Sequence, residues 1–220
     1  AEAQDLVIIQ GEITENTTLN AGTNYLLRGA VFVREGVTLT LNAGVTIFGE
    51  QATLGTLIVD RGGRLVVRGT KNRPVEMTSD QEVGQRARGD WGGLIINGRA
   101  PLNVPGGTAE GEGDTGTYGG TQPNDDSGSI KYLQIAFAGI EFSPDNELNC
   151  LALQGVGRGT ILQYIQCHMN KDDGFEFFGG TALLKFAVSS AIGDDSFDAT
   201  DGWTGAGQYW IAYQFGDDAD

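Results

Sequence analysis

Between Lys171 and Asp220 the chain repeats itself, and that repeat restricts the fold more than any other feature of the sequence. Asp172-Asp173-Gly174-Phe175-Glu176 returns 22 residues on as Asp194-Asp195-Ser196-Phe197-Asp198, and the acidic pair returns after a further 23 as Asp217-Asp218. Apolar runs (Phe186-Ala187-Val188, Tyr209-Trp210-Ile211) separate the pairs, and Gly193 and Gly216 stand directly before the next Asp. A period of this length marks a solenoid, in which one unit cannot bury its own apolar face and must stack on its neighbour. Helical repeats would need apolar residues at 3.6 spacing among good helix formers, and none appears. The unit is rich in β-formers and Gly, so one repeat suits one coil of a parallel β-helix.

Stacked coils lie about 4.8 Å apart, so equivalent residues form ladders. Phe175 is expected to lie on Phe197 in the core, a favourable aromatic stack. Asp172, Asp194 and Asp217 form an acidic column, with Glu176 over Asp198 beside it. Two carboxylates about 5 Å apart repel by roughly 3 kcal/mol at an effective dielectric of 20. Such a column calls for cations, protonation or backbone donors. Strand alternation places Asp172, Gly174 and Glu176 on the outer side, and Asp173, Phe175 and Phe177 inward or at the corner. Calcium bound by Asp172, Glu176, Asp194, Asp198 and Asp217 is one reading. Turn capping by the same Asp side chains is the other.

A second internal alignment extends the architecture toward the amino end. Gly29–Leu41 superposes without a gap on Gly55–Val67, a step of 26 residues, with Gly36 and Gly62 at the same turn. Short β-runs continue through Val75–Thr78 and Trp91–Ile96 and resume from Ile130. Residues 103–129 lose all periodicity and are dominated by Gly, Thr, Asp, Glu, Asn and Pro. A loop that long is usually functional or mobile, and Asp114, Tyr118, Asp125 and Asp126 are its candidate ligand contacts, against a plain surface insertion. The insertion leaves and rejoins the same solenoid, so residues 1–220 read as one β-helix domain. No cap follows Asp217-Asp218, which suggests a longer protein or self-association through the open end.

Charge narrows the partners. The 220 residues carry 29 Asp and Glu against 14 Lys and Arg, a net −15, which argues against nucleic acid and against simple docking on anionic lipid. No apolar run is long enough for a transmembrane helix. The start Ala1-Glu2-Ala3, without Met, suggests a processed amino terminus and export. His168 is the only histidine, which removes most support for a zinc centre or a His-based triad. Cys150 and Cys167, 17 residues apart, belong to different walls of a coil. They either meet across the interior or a corner as a disulfide, or stay as two buried thiols.

The segments 55–80, GDWGGLIINGRAP (89–101), 130–149 and DDGFEFFGGT (172–181) resemble a family of bacterial secreted or cell-surface β-helix proteins. The resemblance covers nearly the whole chain. It implies a right-handed, pectate-lyase-like solenoid exported to the periplasm or cell surface, and it supplies no reaction.

Three functions compete. The first is a non-catalytic surface protein that binds carbohydrate or another partner and is stabilised by calcium. The second is a polysaccharide lyase or glycosidase. Asp172, Asp173, Asp194 and Asp195 offer carboxylate pairs for glycosidase chemistry, and Lys171, Lys185 and Arg158 offer a base for a calcium-assisted lyase. Gly-His-Gly and Arg-Ile-Lys motifs of the polygalacturonase type are absent, and an argument from fold alone carries little weight. The third is a repeating subunit of a surface fibre or layer.

Overall fold

The computed structural model describes residues 6–143 and 146–216. Short strands rich in Val, Ile, Leu and Thr alternate with tight turns, and nearly all of them join one large parallel sheet that winds around a single apolar interior. Each coil contributes to three walls. The first wall stacks residues 30–33, Thr56–Val59, Gly93–Asn97, Leu151–Gln154, Phe175–Phe178 and Phe197–Thr200 in that order. The second stacks Thr17–Leu19, Thr38–Asn42, Arg64–Arg68 and then the first halves of four long strands. Those four are Gly128–Ala136, Ile161–His168, Leu183–Ser190 and Ala206–Tyr213, and their second halves continue the third wall above Val75–Ser79. Among the described residues the third wall has eight rungs, the coil number that the repeat lengths imply.

Registry between coils follows the sequence repeat. Phe175 pairs with Phe197 and Glu176 with Asp198. Both Phe175 and Phe177 are buried, and the Phe175 and Phe197 rings stack at 5.1 Å. Gly36 and Gly62 both take positive φ at the expected turn, where the Gly36 N–H donates to the Gly62 carbonyl. Residues 25–27 and 31–33 belong to a single strand, Asn24–Val33, bent at Gly29 with φ 63°, where the pairing with Leu6–Ile13 skips residues 29 and 30.

Cys150 and Cys167 form a disulfide, which settles the open choice between bridge and thiols. Cys150 stands just before the first-wall strand Leu151–Gln154 and Cys167 lies on the third wall, so the bond spans the corner between walls. A second, smaller apolar cluster lies outside the first wall. Ile58, Ile95 and Ala152 face outward there and are covered by Ile140 and Leu148, with Phe32 and Phe178 at the margin. An outward row of apolar side chains on a solenoid needs such a cover. Ile140 and Leu148, and the strand Thr117–Gly119 of the insertion, lie against this wall.

Candidate functional site

The acidic repeat and the insertion meet on that covered face. Asp172 and Asp173 sit in the turn entering Phe175–Phe178, Glu176 projects from the outer side of the strand, and Asp194 and Asp198 repeat the pattern one coil up. The carboxylates form two triplets that share Asp173. Asp172, Asp173 and Asp194 each place an oxygen within 4.8 Å of the others, and so do Asp173, Glu176 and Asp198. Four of the five expected ligands are therefore brought together, while Asp217 lies outside the described residues. Asp173 is the correction. Placed inward or at the corner by alternation and left out of the expected ligands, it lies in the turn before the strand and sits at the centre of the cluster.

Backbone and side-chain amide donors hold part of this cluster. The Asp195 N–H donates to Asp173 Oδ1 at 2.9 Å, which is turn capping. Asn149 donates its amide to Glu176 Oε2, and Asn170 donates to the Asp173 carbonyl at 2.8 Å. The Oδ1 atoms of Asn149 and Asn170 are buried and have no hydrogen-bond partner. Burial first, then neighbouring carboxylates, raise Asp172 to about 6, Asp173 to about 7 and Glu176 to about 9.

The insertion supplies what the sequence did not locate. It is not structureless: Thr108–Glu110 and Thr117–Gly119 pair as an antiparallel hairpin. Asn97 donates to the Thr115 carbonyl at 2.7 Å, which fixes the hairpin on the first wall. The turn between its strands carries Glu112, which burial and the charges of Asp172 and Glu147 raise to about 7. Glu112 and Glu147 thus join the cleft, and no periodic signal could have pointed to either.

The four insertion residues expected to contact ligand serve the fold instead, except one. Tyr118 is buried, donates its hydroxyl to Asp201 at 3.0 Å and meets Phe178 edge-on; burial and that bond raise its pKa. Asp125 is buried and accepts from Ser127 at 3.0 Å. Asp126 pairs with Arg64 at 2.6 Å and accepts the Gly128 N–H. Asp114 is exposed, in a left-handed turn conformation, and Asp126 is exposed as well but held in its ion pair.

The candidate lyase bases also separate. Lys171 pairs with Glu141 at the rim of the cleft, whereas Lys185 lies over the rings of Phe186 and Tyr209 at the opposite corner of the coil. Chemically the cleft is an all-oxygen, strongly anionic site. That donor set suits a hard cation such as calcium, which takes six to eight oxygens. It also suits carboxyl groups that share protons.

A family model described as a pectate-lyase like beta helix domain matches residues 11–220. Comparison with curated proteins and with solved structures returned no match.

Proposed function

The chain belongs to the pectate-lyase-like β-helix family, and from that premise we propose that it is an exported protein whose carboxylate cleft holds calcium and binds carbohydrate through it. The observation that carries this reading is the pair of carboxylate triplets meeting at Asp173. Asp172, Asp173, Glu176, Asp194 and Asp198 would hold the ion, with the unpartnered Asn149 and Asn170 oxygens as further acceptors nearby. The bound cation would offset the mutual repulsion of the carboxylates and offer open positions to glycan hydroxyl or carboxylate oxygens. Without it, the field of the cleft repels any acidic polysaccharide.

The test is glycan binding by affinity electrophoresis in calcium and in chelator, with wild type and Asp173→Asn. Retardation that increases in calcium, with that increase lost in Asp173→Asn, supports the reading. Equal retardation in chelator removes it.

A second reading rests on a separate observation. Glu176 is raised to about 9, so it is protonated at neutral pH, and its carboxyl lies within 4.8 Å of Asp198. A protonated carboxylic acid beside a second carboxylate is the equipment of glycoside hydrolysis, and the separation resembles the closer-spaced, retaining class. In this reading Glu176 donates a proton to the glycosidic oxygen while Asp198 attacks or stabilises the sugar. Release of new reducing ends that ceases in Glu176→Gln would favour it over binding alone.

A further inference from the structure

Where the second wall turns into the third, four aromatic residues occupy one ladder outside the solenoid: Tyr132, Tyr164, Phe186 and Tyr209. Their rings stack nearly parallel, at 4.4, 4.5 and 5.0 Å between centroids. All four take left-handed backbone conformations, with φ of 54°, 58°, 61° and 62°. Bulky side chains rarely adopt that region, and each such residue costs on the order of 1–3 kcal/mol. Gly or Asn would turn the same corner more cheaply. The strain is therefore tolerated for the sake of the rings.

Beside this ladder runs a second one, formed by Gln134, Gln166, Val188 and Ile211, and the two enclose a groove of about 570 Å³ along the solenoid axis. The Gln134 amide donates to Gln166 at 3.2 Å. None of the fourteen lining residues is Asp or Glu, although the chain carries 29 acids. The charged lining residue is Lys71, from the turn below Tyr132. Lys185 stands at the rim, 5.1 Å from the Phe186 ring centre and 5.5 Å from that of Tyr209. Neither lysine pairs with a carboxylate among the described residues. Stacked rings cover one another's faces and turn their electropositive edges outward.

We propose that this groove is a second binding site, for a linear anionic glycan lying along the axis. Charge complementarity is the first argument: in a chain of net −15, the residues lining this groove include Lys71, ring edges and amides and no acid, while the exposed Glu76 stands beyond its end, next to Gln134 on the third wall. Repetition is the second. Ring edges recur on four successive coils, three of them carrying a phenol hydroxyl (Tyr132, Tyr164, Tyr209), and the amides of Gln134 and Gln166 stand on adjacent coils, which suits a polymer with a repeating unit. A lipid tail or a single small molecule has no use for such a series. The site is independent of the carboxylate cleft, which lies on the first wall and has the opposite charge.

Titration calorimetry in chelator, with hyaluronan and alginate oligosaccharides as probes and dextran and dodecyl phosphate as comparisons, tests the proposal. Wild type should bind at least one anionic glycan in chelator, where the carboxylate cleft holds no calcium, and more weakly as salt rises. Lys71→Gln with Lys185→Gln should weaken binding about fivefold, the sum of two exposed charge contacts. Tyr209→Ala, at an exposed ring, should weaken it without loss of fold by circular dichroism. The proposal fails if neither anionic glycan binds in chelator, if the variants bind as wild type does, or if dodecyl phosphate alone binds.

Discussion

Glu176 stands where a carboxylate is hardest to keep charged. It is buried against Asn149 and faces Asp173, Glu112 and Asp198, and its pKa is raised to about 9. Glu112, Asp172 and Asp173 are raised with it, to about 7, 6 and 7. A carboxyl whose folded pKa exceeds its unfolded value of about 4 takes up a proton on folding. Its contribution is fully present below that unfolded value and is lost as pH rises through the folded one. In chelator, the melting temperature should therefore fall from pH 5 to pH 9. Glu176→Gln should remove the upper part of that fall and melt above wild type at pH 9. A wild-type profile that is flat, or rises, over this range would contradict the electrostatics of the cleft. At this scale the sequence was legible for Asp172, Glu176, Asp194 and Asp198, because a one-coil repeat superposes like side chains. Asp173 was not, because alternation is a property of strands and Asp173 lies in a turn.

At the scale of elements, the cleft depends on two segments that do not belong to the repeat. The hairpin of the insertion and the strands Glu141–Ser143 and Asn146–Glu147 rest on the first wall and bring Glu112 and Glu147 to the acidic ladder. Their position follows from contacts such as Asn97 to Thr115 and Tyr118 to Asp201. Such contacts join residues 18 and 83 positions apart and leave no local pattern to read. The buried Tyr118 shows the same limit: a lone Tyr in a polar loop looks available for ligand, yet here it anchors the loop. The disulfide is the third element-scale device. Cys150 ends the excursion that begins at Ile140, and its bond to Cys167 ties that end to the third wall. Closing a loop of this length stabilises by about 3 kcal/mol in the chain-entropy account. Urea unfolding of the Cys150→Ser, Cys167→Ser double variant should show a loss near that figure. A loss under about 0.5 kcal/mol, the scatter of surface substitutions, would mean that the corner is held by packing alone.

For the whole molecule, the period decided the architecture. Every coil repeats the same three walls, and the stacked Phe175 and Phe197 follow directly from the 22-residue step. The distribution of charge decided the function proposed here. The first wall gathers seven carboxylates at one cleft, while the groove at the opposite corner has none. A concentration of like charge on a folded scaffold is a cost to stability unless a counter-ion relieves it. The central claim is that calcium is that counter-ion, and thermal melting at pH 7.5 with calcium or with chelator tests it most directly. Calcium at a hundredfold excess over its dissociation constant should stabilise wild type by about 2.7 kcal/mol and raise its melting temperature accordingly. Asp194→Asn and Asp173→Asn should lose most of that shift. No calcium-dependent shift in wild type, together with an unchanged or higher melting temperature for Asp194→Asn, would contradict the account and leave the acidic ladder as turn capping held by shared protons.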